Sequence, residues 1–189
     1  MSAIIPAMNV LAFDVESNGL HGAAFAVAGV LMDDKLEIIS QFSSRCPITG
    51  PVDTWVSENV LGPMKNTPET AADARSMRDE FWKWYMSVKP RADIIVASNP
   101  YPVEAKFLID CQADDMPARE FDHPFPYYDL PSMLLTLGFA TPAERREFVA
   151  EATKHTSGDP HEPLWDSKAT AMGAQAAIKR AGLKTPPTV

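Results

Sequence analysis

Val10-Leu11-Ala12-Phe13-Asp14-Val15-Glu16-Ser17-Asn18-Gly19-Leu20 is the stretch on which the fold turns. Its apolar run reads as a central strand buried on both faces. Asp14 and Glu16, two residues apart, project from the same face of an extended strand. Like charges about 5–7 Å apart along a strand, at the end of a buried element, repel each other and resist desolvation. Divalent cations that take hard oxygen ligands, Mg²⁺ or Mn²⁺, relieve that repulsion. Ser17-Asn18-Gly19 then turns the chain. Alone, the pair also fits a solvated strand end leading into a turn, and the rest of the chain decides between the two.

With 189 residues, 46% of them hydrophobic, the chain suits a single domain over 1–189, with a core over about 9–182 and a proline-rich tail, 184–189, expected to fray. No apolar run approaches the roughly 20 residues needed to span a bilayer, so no membrane partner is expected. The segment from Met1 to Leu11 is apolar but has no basic leader and is broken by Pro6, which argues against a secretory signal. Cys46 and Cys111 have neither metal-ligand spacing nor a disulfide framework, so a reducing cytoplasm is the expected compartment. The net charge of −8, with no lysine or arginine run, argues against a long nucleic acid gripped by its phosphates. A nucleic-acid contact here would be short and helped by metals. The same acidity fits a binder of neutral or cationic ligands.

Ala23 to Met32 is a second apolar run. After a polar turn at Asp33-Asp34-Lys35, Leu36 to Phe42 reads as a third strand. Such short connections join antiparallel neighbours, giving a three-strand meander over 9–43. Asp53 to Leu61 reads as a short helix, with Trp55 and Val56 as packing residues. Thr67-Pro68 predicts a helix start, followed by Ala71, Ala74, Met77, Phe81, Trp84, Tyr85 and Val88 at helical spacing. That aromatic stripe reads as core, with Trp82 and Trp84 structural. Ala92 to Ser98 is a further buried strand, Val103 to Ala113 a helix, Pro124 to Asp129 a short aromatic strand and Leu130 to Leu137 a helix. Thr141-Pro142 opens a helix to about His155, Thr156 to Pro160 a loop, and Pro163 a last helix ending at Gly182. The order implies a five-stranded mixed sheet, three antiparallel strands and then strand–helix alternation, flanked by helices in an α/β fold.

Four acidic residues and one histidine occur where such a fold can bring them together. Asp14 and Glu16 end the first strand, Glu104 lies just beyond the fourth, Asp166 lies in the first turn of the last helix, and His161 precedes it by five residues. A lone His161 on a polar loop is ordinarily solvated surface, and a lone Asp166 near a helix start ordinarily serves the helix dipole. Their conjunction is what points to a site. His21, His123 and His155 lack the spacing to Asp166 and read as surface or supporting residues, as does Asp129.

The pattern resembles the DEDDh 3′–5′ exonucleases of the ribonuclease H-like superfold. Phe13 through Leu20 is similar to the family's first motif, Asp-x-Glu-x-x-Gly-Leu. Ser98-Asn99 through Val103-Glu104-Ala105-Lys106-Phe107-Leu108 resembles the second, and His161-Glu162-Pro163-Leu164-Trp165-Asp166 the third. Tyr128-Asp129-Leu130 resembles the segment found between the last two. The likeness spans residues 9 to about 182. It departs at the second motif, where the family carries Asp and this chain carries Glu104, one methylene longer and one residue further from Asn99 than in many members. Asp110 is a poor substitute, since six residues along a helix it points roughly 120° away.

The resemblance implies a ribonuclease H-like domain that hydrolyses phosphodiester bonds at the 3′ end of nucleic acid, and the acidic composition favours single-stranded or short substrates, RNA over DNA. Two divalent cations, Mg²⁺ or Mn²⁺, would be held by Asp14, Glu16, Glu104 and Asp166, with His161 as general base. Two unit charges 4 Å apart repel by about 4 kcal/mol at an effective dielectric near 20, so four converging carboxylates call for such cations. Asp14 would bridge the two metals, Glu16 and Asp166 would hold the one carrying water, and Glu104 would support the second. The loop over Thr156 to Pro160 could carry His161 inward on substrate binding. The resemblance also implies that Leu20 wedges between the last two bases, that backbone at Ser17 to Gly19 meets the terminal sugar, and that a homodimer is possible. Along the last helix, Asp166, Thr170, Gly173 and Ala177 form a mostly small stripe expected to let the helix approach the sheet. The competing readings are a DNA-directed repair or proofreading exonuclease and a nucleic-acid-binding module with a decayed active site.

Overall fold

In the computed structural model β1 (Val10–Ser17) lies at the middle of a five-stranded sheet of order β3-β2-β1-β4-β5. Residues 8–183 are described. The expected fraying of 184–189, and the part of the Met1–Leu11 reading that concerns residues 1–7, lie outside them. β2 (Ala24–Met32) pairs antiparallel with β1 from Val10↔Met32 to Ser17↔Ala24, and β3 (Ile38–Arg45) antiparallel with β2. β4 (Ile94–Ala97) runs parallel to β1, and β5 (Tyr128–Asp129) parallel to β4. The expected mixed sheet is therefore present, because tight turns join the first three strands and helical crossovers join the last two.

The helices are α1 (Thr54–Asn59), α2 (Ala74–Val88), α3 (Ala105–Asp114), α4 (Met116–Arg119), α5 (Leu130–Thr136), α6 (Pro142–Thr153) and α7 (Pro163–Ala181). Strand alternation sends the odd residues of β1 one way and the even residues the other. Leu11, Phe13 and Val15 join Met77, Phe81 and Tyr85 of α2 and Phe107 and Cys111 of α3 in one core. Val10 and Ala12 join Leu130 and Leu134 of α5 and Ala171, Ala174, Ala177 and Ile178 of α7 in another. Asp14 and Glu16 continue the even face, which is the side covered by α7. That helix is tied to the sheet by two buried side chains. Ser167 Oγ donates to Ala28 O at 3.0 Å, and Gln175 Nε2 to Met8 O at 2.6 Å. Gly173 is an exception to the expected stripe: a Cβ there would meet Leu130 and Val149 at 3.1 and 3.2 Å, so its small size serves the contact with α5 and α6.

Several boundaries moved for local reasons. β3 begins at Ile38 because Asp33 Oδ1 accepts from the backbone of Lys35 and Glu37, holding Leu36 at φ 68° in the turn; it runs on to Arg45 because Ala26 pairs there. α2 starts six residues or more beyond Thr67-Pro68, where Asp73 and Ser76 form a reciprocal capping box. The intervening chain is instead pinned to β3, with Thr70 N and Ala71 N both donating to Arg45 O. Pro63–Asn66 forms a short 3₁₀ turn and α4 a single helical turn, neither expected from the sequence. Trp84 Nε1 donates to Ser40 Oγ, and the Arg119 guanidinium lies over buried Trp82, so both tryptophans are structural as anticipated. Cys46 and Cys111 are buried and unbridged. Among the described residues no helix is long and apolar enough to cross a membrane.

Candidate active site

The β1 register slips between Glu16 and Ser17, and the chain folds over in a tight turn. Gly19 N donates to Ser17 O and Ser17 Oγ to Gly19 O, both at 2.8 Å, with Gly19 at φ +81°, where a side chain is strained. Asn18 ties this turn to the next loop: its Nδ2 donates to Pro51 O, and its Oδ1 accepts from Asp53 N at 2.7 Å. Asp53 in turn caps α1, accepting from Trp55 N and Val56 N. These bonds set Leu20, 66% exposed, and Trp55, 55% exposed, on the wall of one groove of about 580 Å³. Val56 is buried as expected, but Trp55 is not a packing residue. Its ring is held at the surface by the cap beneath it.

At the far wall, α7 starts on Glu162, whose carboxylate accepts from Trp165 N at 2.7 Å. Asp166, one turn in, accepts from His161 N at 2.8 Å. That bond and the φ of 66° at His161 turn the imidazole back toward β1, where Nδ1 lies 3.4 Å from Glu16 Oε1. The ring also meets Trp55 edge-on at 5.4 Å. Behind it the loop presses on Trp165, where a Cβ at Gly158 would fall 2.3 Å from the indole. Glu16, His161 and Asp166 offer ligand atoms all within 4.8 Å of one another.

Glu104 closes the site from β4. Between Pro100 and Glu104 the chain makes a wider turn than an α-helix, with Ala105 N donating to Pro100 O and Pro102 O. A wide turn of this kind absorbs one extra residue. Glu104, at the end of this turn, is buried.

The carboxylates act on one another. Burial, followed by the charges of Asp166, Glu16, Glu104 and Glu162, pushes Asp14 well above the usual carboxylate range. Glu16 is pushed up to about 8 by burial, Asp166 and Glu104. Glu104 is pushed up to about 7 by burial, against the backbone amides of Glu104 itself and Val15. Asp166 is raised by burial, against the backbone N–H and ring of His161. Asp14 Oδ2 is buried with no hydrogen-bond partner among the described residues. A native protein seldom leaves such an acceptor orphaned. Hard oxygens with an unmet acceptor at their centre fit a divalent cation better than any arrangement of the chain's own donors.

The structure thus places Asp14, Glu16, Glu104, His161 and Asp166 at one end of β1, with Ser17 buried in the adjoining turn and Gly19 and Leu20 on the groove. Asp110 pairs with Lys106 at 2.5 Å instead. His21 and His155 are exposed, and His123 approaches Gln112 and Glu120 O. Tyr127 was not anticipated. Its ring stacks on Phe13 at 5.4 Å, and its buried hydroxyl lacks a partner among the described residues. Burial and the charges of Glu104 and Asp14 raise its pKa. The run of aromatics over 125–128 marks a strand but does not single out that position.

No protein-family model matches the sequence, and no curated protein matches it. Solved structures do. The nuclease domain of 3'hExo, a DEDDh family member, bound to rAMP, aligns over 98% of both chains with a TM-score of 0.59 at 16% identity. Exonuclease X in complex with 5′ overhanging duplex DNA aligns over 93% of this chain and 95% of its own, with a TM-score of 0.55 at 15% identity. E. coli exonuclease I in complex with a dA16 oligonucleotide aligns over 93% of this chain and 41% of its own, with a TM-score of 0.52 at 13% identity. At these identities the likeness establishes the fold, which is the ribonuclease H-like fold of DEDDh exonuclease domains.

Proposed function

We propose that the protein is a metal-dependent 3′–5′ exonuclease acting on single-stranded or short nucleic acid, RNA favoured over DNA. The observation that carries this reading is the gathering of the buried Glu104 and the half-buried Glu16 and Asp166 near Asp14, whose Oδ2 is orphaned, with the His161 imidazole against Glu16 and Asp166. The nucleic acids bound by the structurally similar nucleases support it. Two divalent cations, Mg²⁺ or Mn²⁺, held by Asp14, Glu16, Glu104 and Asp166, would supply Lewis acidity and neutralise the charge that develops at the scissile phosphate.

The chain's own residues do the rest. His161, whose Nδ1 lies 3.4 Å from Glu16 Oε1, is the acceptor for the proton of the attacking water. Asp166 fixes the backbone beneath that ring. Leu20 and Trp55 offer an apolar wall to the terminal base. The tight turn at Ser17 to Gly19 brings backbone to the terminal sugar with no side chain at Gly19 to obstruct it. Hydrolysis would release a nucleoside 5′-monophosphate and leave a 3′-hydroxyl on the shortened strand.

The test is cleavage of 5′-labelled single-stranded RNA and DNA in Mn²⁺, Mg²⁺ or EDTA, with wild type and Asp14→Ala. Stepwise shortening from the 3′ end, lost in EDTA and in the variant, is expected. Cleavage that survives either change would overturn the reading, and binding without cleavage would favour a decayed site.

A further inference from the structure

Tyr127 brings to the carboxylates a donor that no other residue receives. Its ring stacks on Phe13, the residue before Asp14 on β1, with centroids 5.4 Å apart and planes only 6° from parallel. Its hydroxyl is buried and has no hydrogen-bond partner among the described residues. Tyr85, a buried tyrosine of the same core, differs: its hydroxyl donates to Asp122 O at 3.0 Å. A buried tyrosine hydroxyl ordinarily finds such a partner. Burial, then the charge of Glu104, then that of Asp14 raise the Tyr127 hydroxyl well above the usual tyrosine range, so these are the carboxylates that act on it.

Glu104 is the group that calls for this donor. β4 pairs with β1 only as far as Ala12, and beyond that point the amides of Glu104 itself and of Val15 act on the Glu104 carboxylate. A glutamate has one more side-chain torsion than an aspartate, and fixing it costs entropy. Two amides leave acceptor positions open, since a carboxylate offers about four. Resting on the reading of these carboxylates as a metal site, we propose that Tyr127 is the positioning residue for Glu104. When cations are held there, its hydroxyl donates to the Glu104 carboxylate and fixes the longer side chain at the metal. Tyr127 acts through Glu104 and transfers no proton. The Glu that stands where the family carries Asp and the tyrosine stacked on β1 are then parts of one device.

The experiment is calorimetric titration of the full chain with Mn²⁺, together with thermal melts in EDTA, for wild type, Tyr127→Phe, Glu104→Gln, the double variant and Tyr85→Phe. Tyr127→Phe removes only the hydroxyl, so the melting temperature of the metal-free protein should stay level or rise. Its Mn²⁺ affinity should fall about 10–100-fold, the loss typical when a partner behind a metal ligand is removed. In the Glu104→Gln background the same change should weaken Mn²⁺ binding by less than about twofold, because the two residues act as one unit. Tyr85→Phe should lower the melting temperature and leave Mn²⁺ affinity as in wild type. In the wild type itself, Mn²⁺ should shift tyrosine absorption to longer wavelength, as a hydroxyl that becomes a donor does. The absence of that shift would overturn the proposal even if a variant failed to fold. So would an unchanged Mn²⁺ affinity in Tyr127→Phe, or losses that simply add in the double variant. A wild type that takes up no Mn²⁺ would overturn the metal-site reading and this proposal with it, so the wild-type titration tells the two failures apart.

Discussion

Glu104 and Asp14 show how much a single carboxylate's surroundings decide. Glu104 was readable as a candidate only from its place in a motif, and its extra methylene and extra preceding residue left its reach open. The wide turn at Pro100–Glu104 and the burial of the side chain supply the missing step, and neither has a local sequence signature beyond two prolines. Replacing Glu104 by Gln should weaken Mn²⁺ binding in calorimetry at least tenfold while leaving the melting temperature of the metal-free protein unchanged or higher. Loss of folding would instead mark the residue as structural. The pH dependence follows from the same burial. Glu16 holds its proton up to about pH 8 in the folded protein and Glu104 to about 7, against ordinary values of 4.5. Between pH 4.5 and 8 the folded state therefore binds more protons than the unfolded chain, and stability of the metal-free protein is lost as pH rises. Melting temperatures measured in EDTA should fall steadily from pH 5 to pH 8, and a flat or rising profile would contradict the coupling.

At the level of elements, the sequence located each strand and each long helix, and the starts of α6 at Thr141-Pro142 and of α7 at Pro163, but not the start of α2. Thr67-Pro68 and Asp73-x-x-Ser76 are both helix-start signals, and tertiary pairing of Thr70 and Ala71 with Arg45 settles which one is used. α1 was legible as a helix, yet the exposure of Trp55 depends on the Asn18–Asp53 link between two loops, which no periodicity encodes. Asp53→Ala removes the α1 cap and keeps the backbone N–H that bonds Asn18. A lost cap costs about 0.5–2 kcal/mol, which lowers the melting temperature by about 1–8 °C in a protein of this size. In steady-state kinetics KM should rise more than kcat falls, because the wall moves and the carboxylates do not. The reverse split is expected for Gly158→Ala. Its Cβ would collide with the Trp165 indole, displacing the loop that carries His161, so kcat should fall tenfold or more with KM little changed. Equal effects on both constants would argue against separate roles for the two walls.

Across the whole molecule, the sheet order was legible because connection length dictates it: short turns for β1 to β3, and crossovers through α2 and α3 for β4 and β5. The pairing of His161 with Asp166 was legible because a loop and a first helical turn five residues apart are local partners. What the sequence could not show is the depth at which the carboxylates lie, since burial is a property of two layers of helix closing over one strand end. That depth makes the cluster costly without cations and gives the central claim a direct test. Thermal melts at pH 8 with and without Mn²⁺ should be compared for wild type and Asp14→Asn. At a hundredfold excess of Mn²⁺ over its dissociation constant the wild type should gain about 2.7 kcal/mol, a rise of about 5–10 °C in melting temperature. Asp14→Asn should melt at or above the metal-free wild type and show no such response. A wild type that ignores Mn²⁺, or a variant that responds as fully as the wild type, would contradict the account.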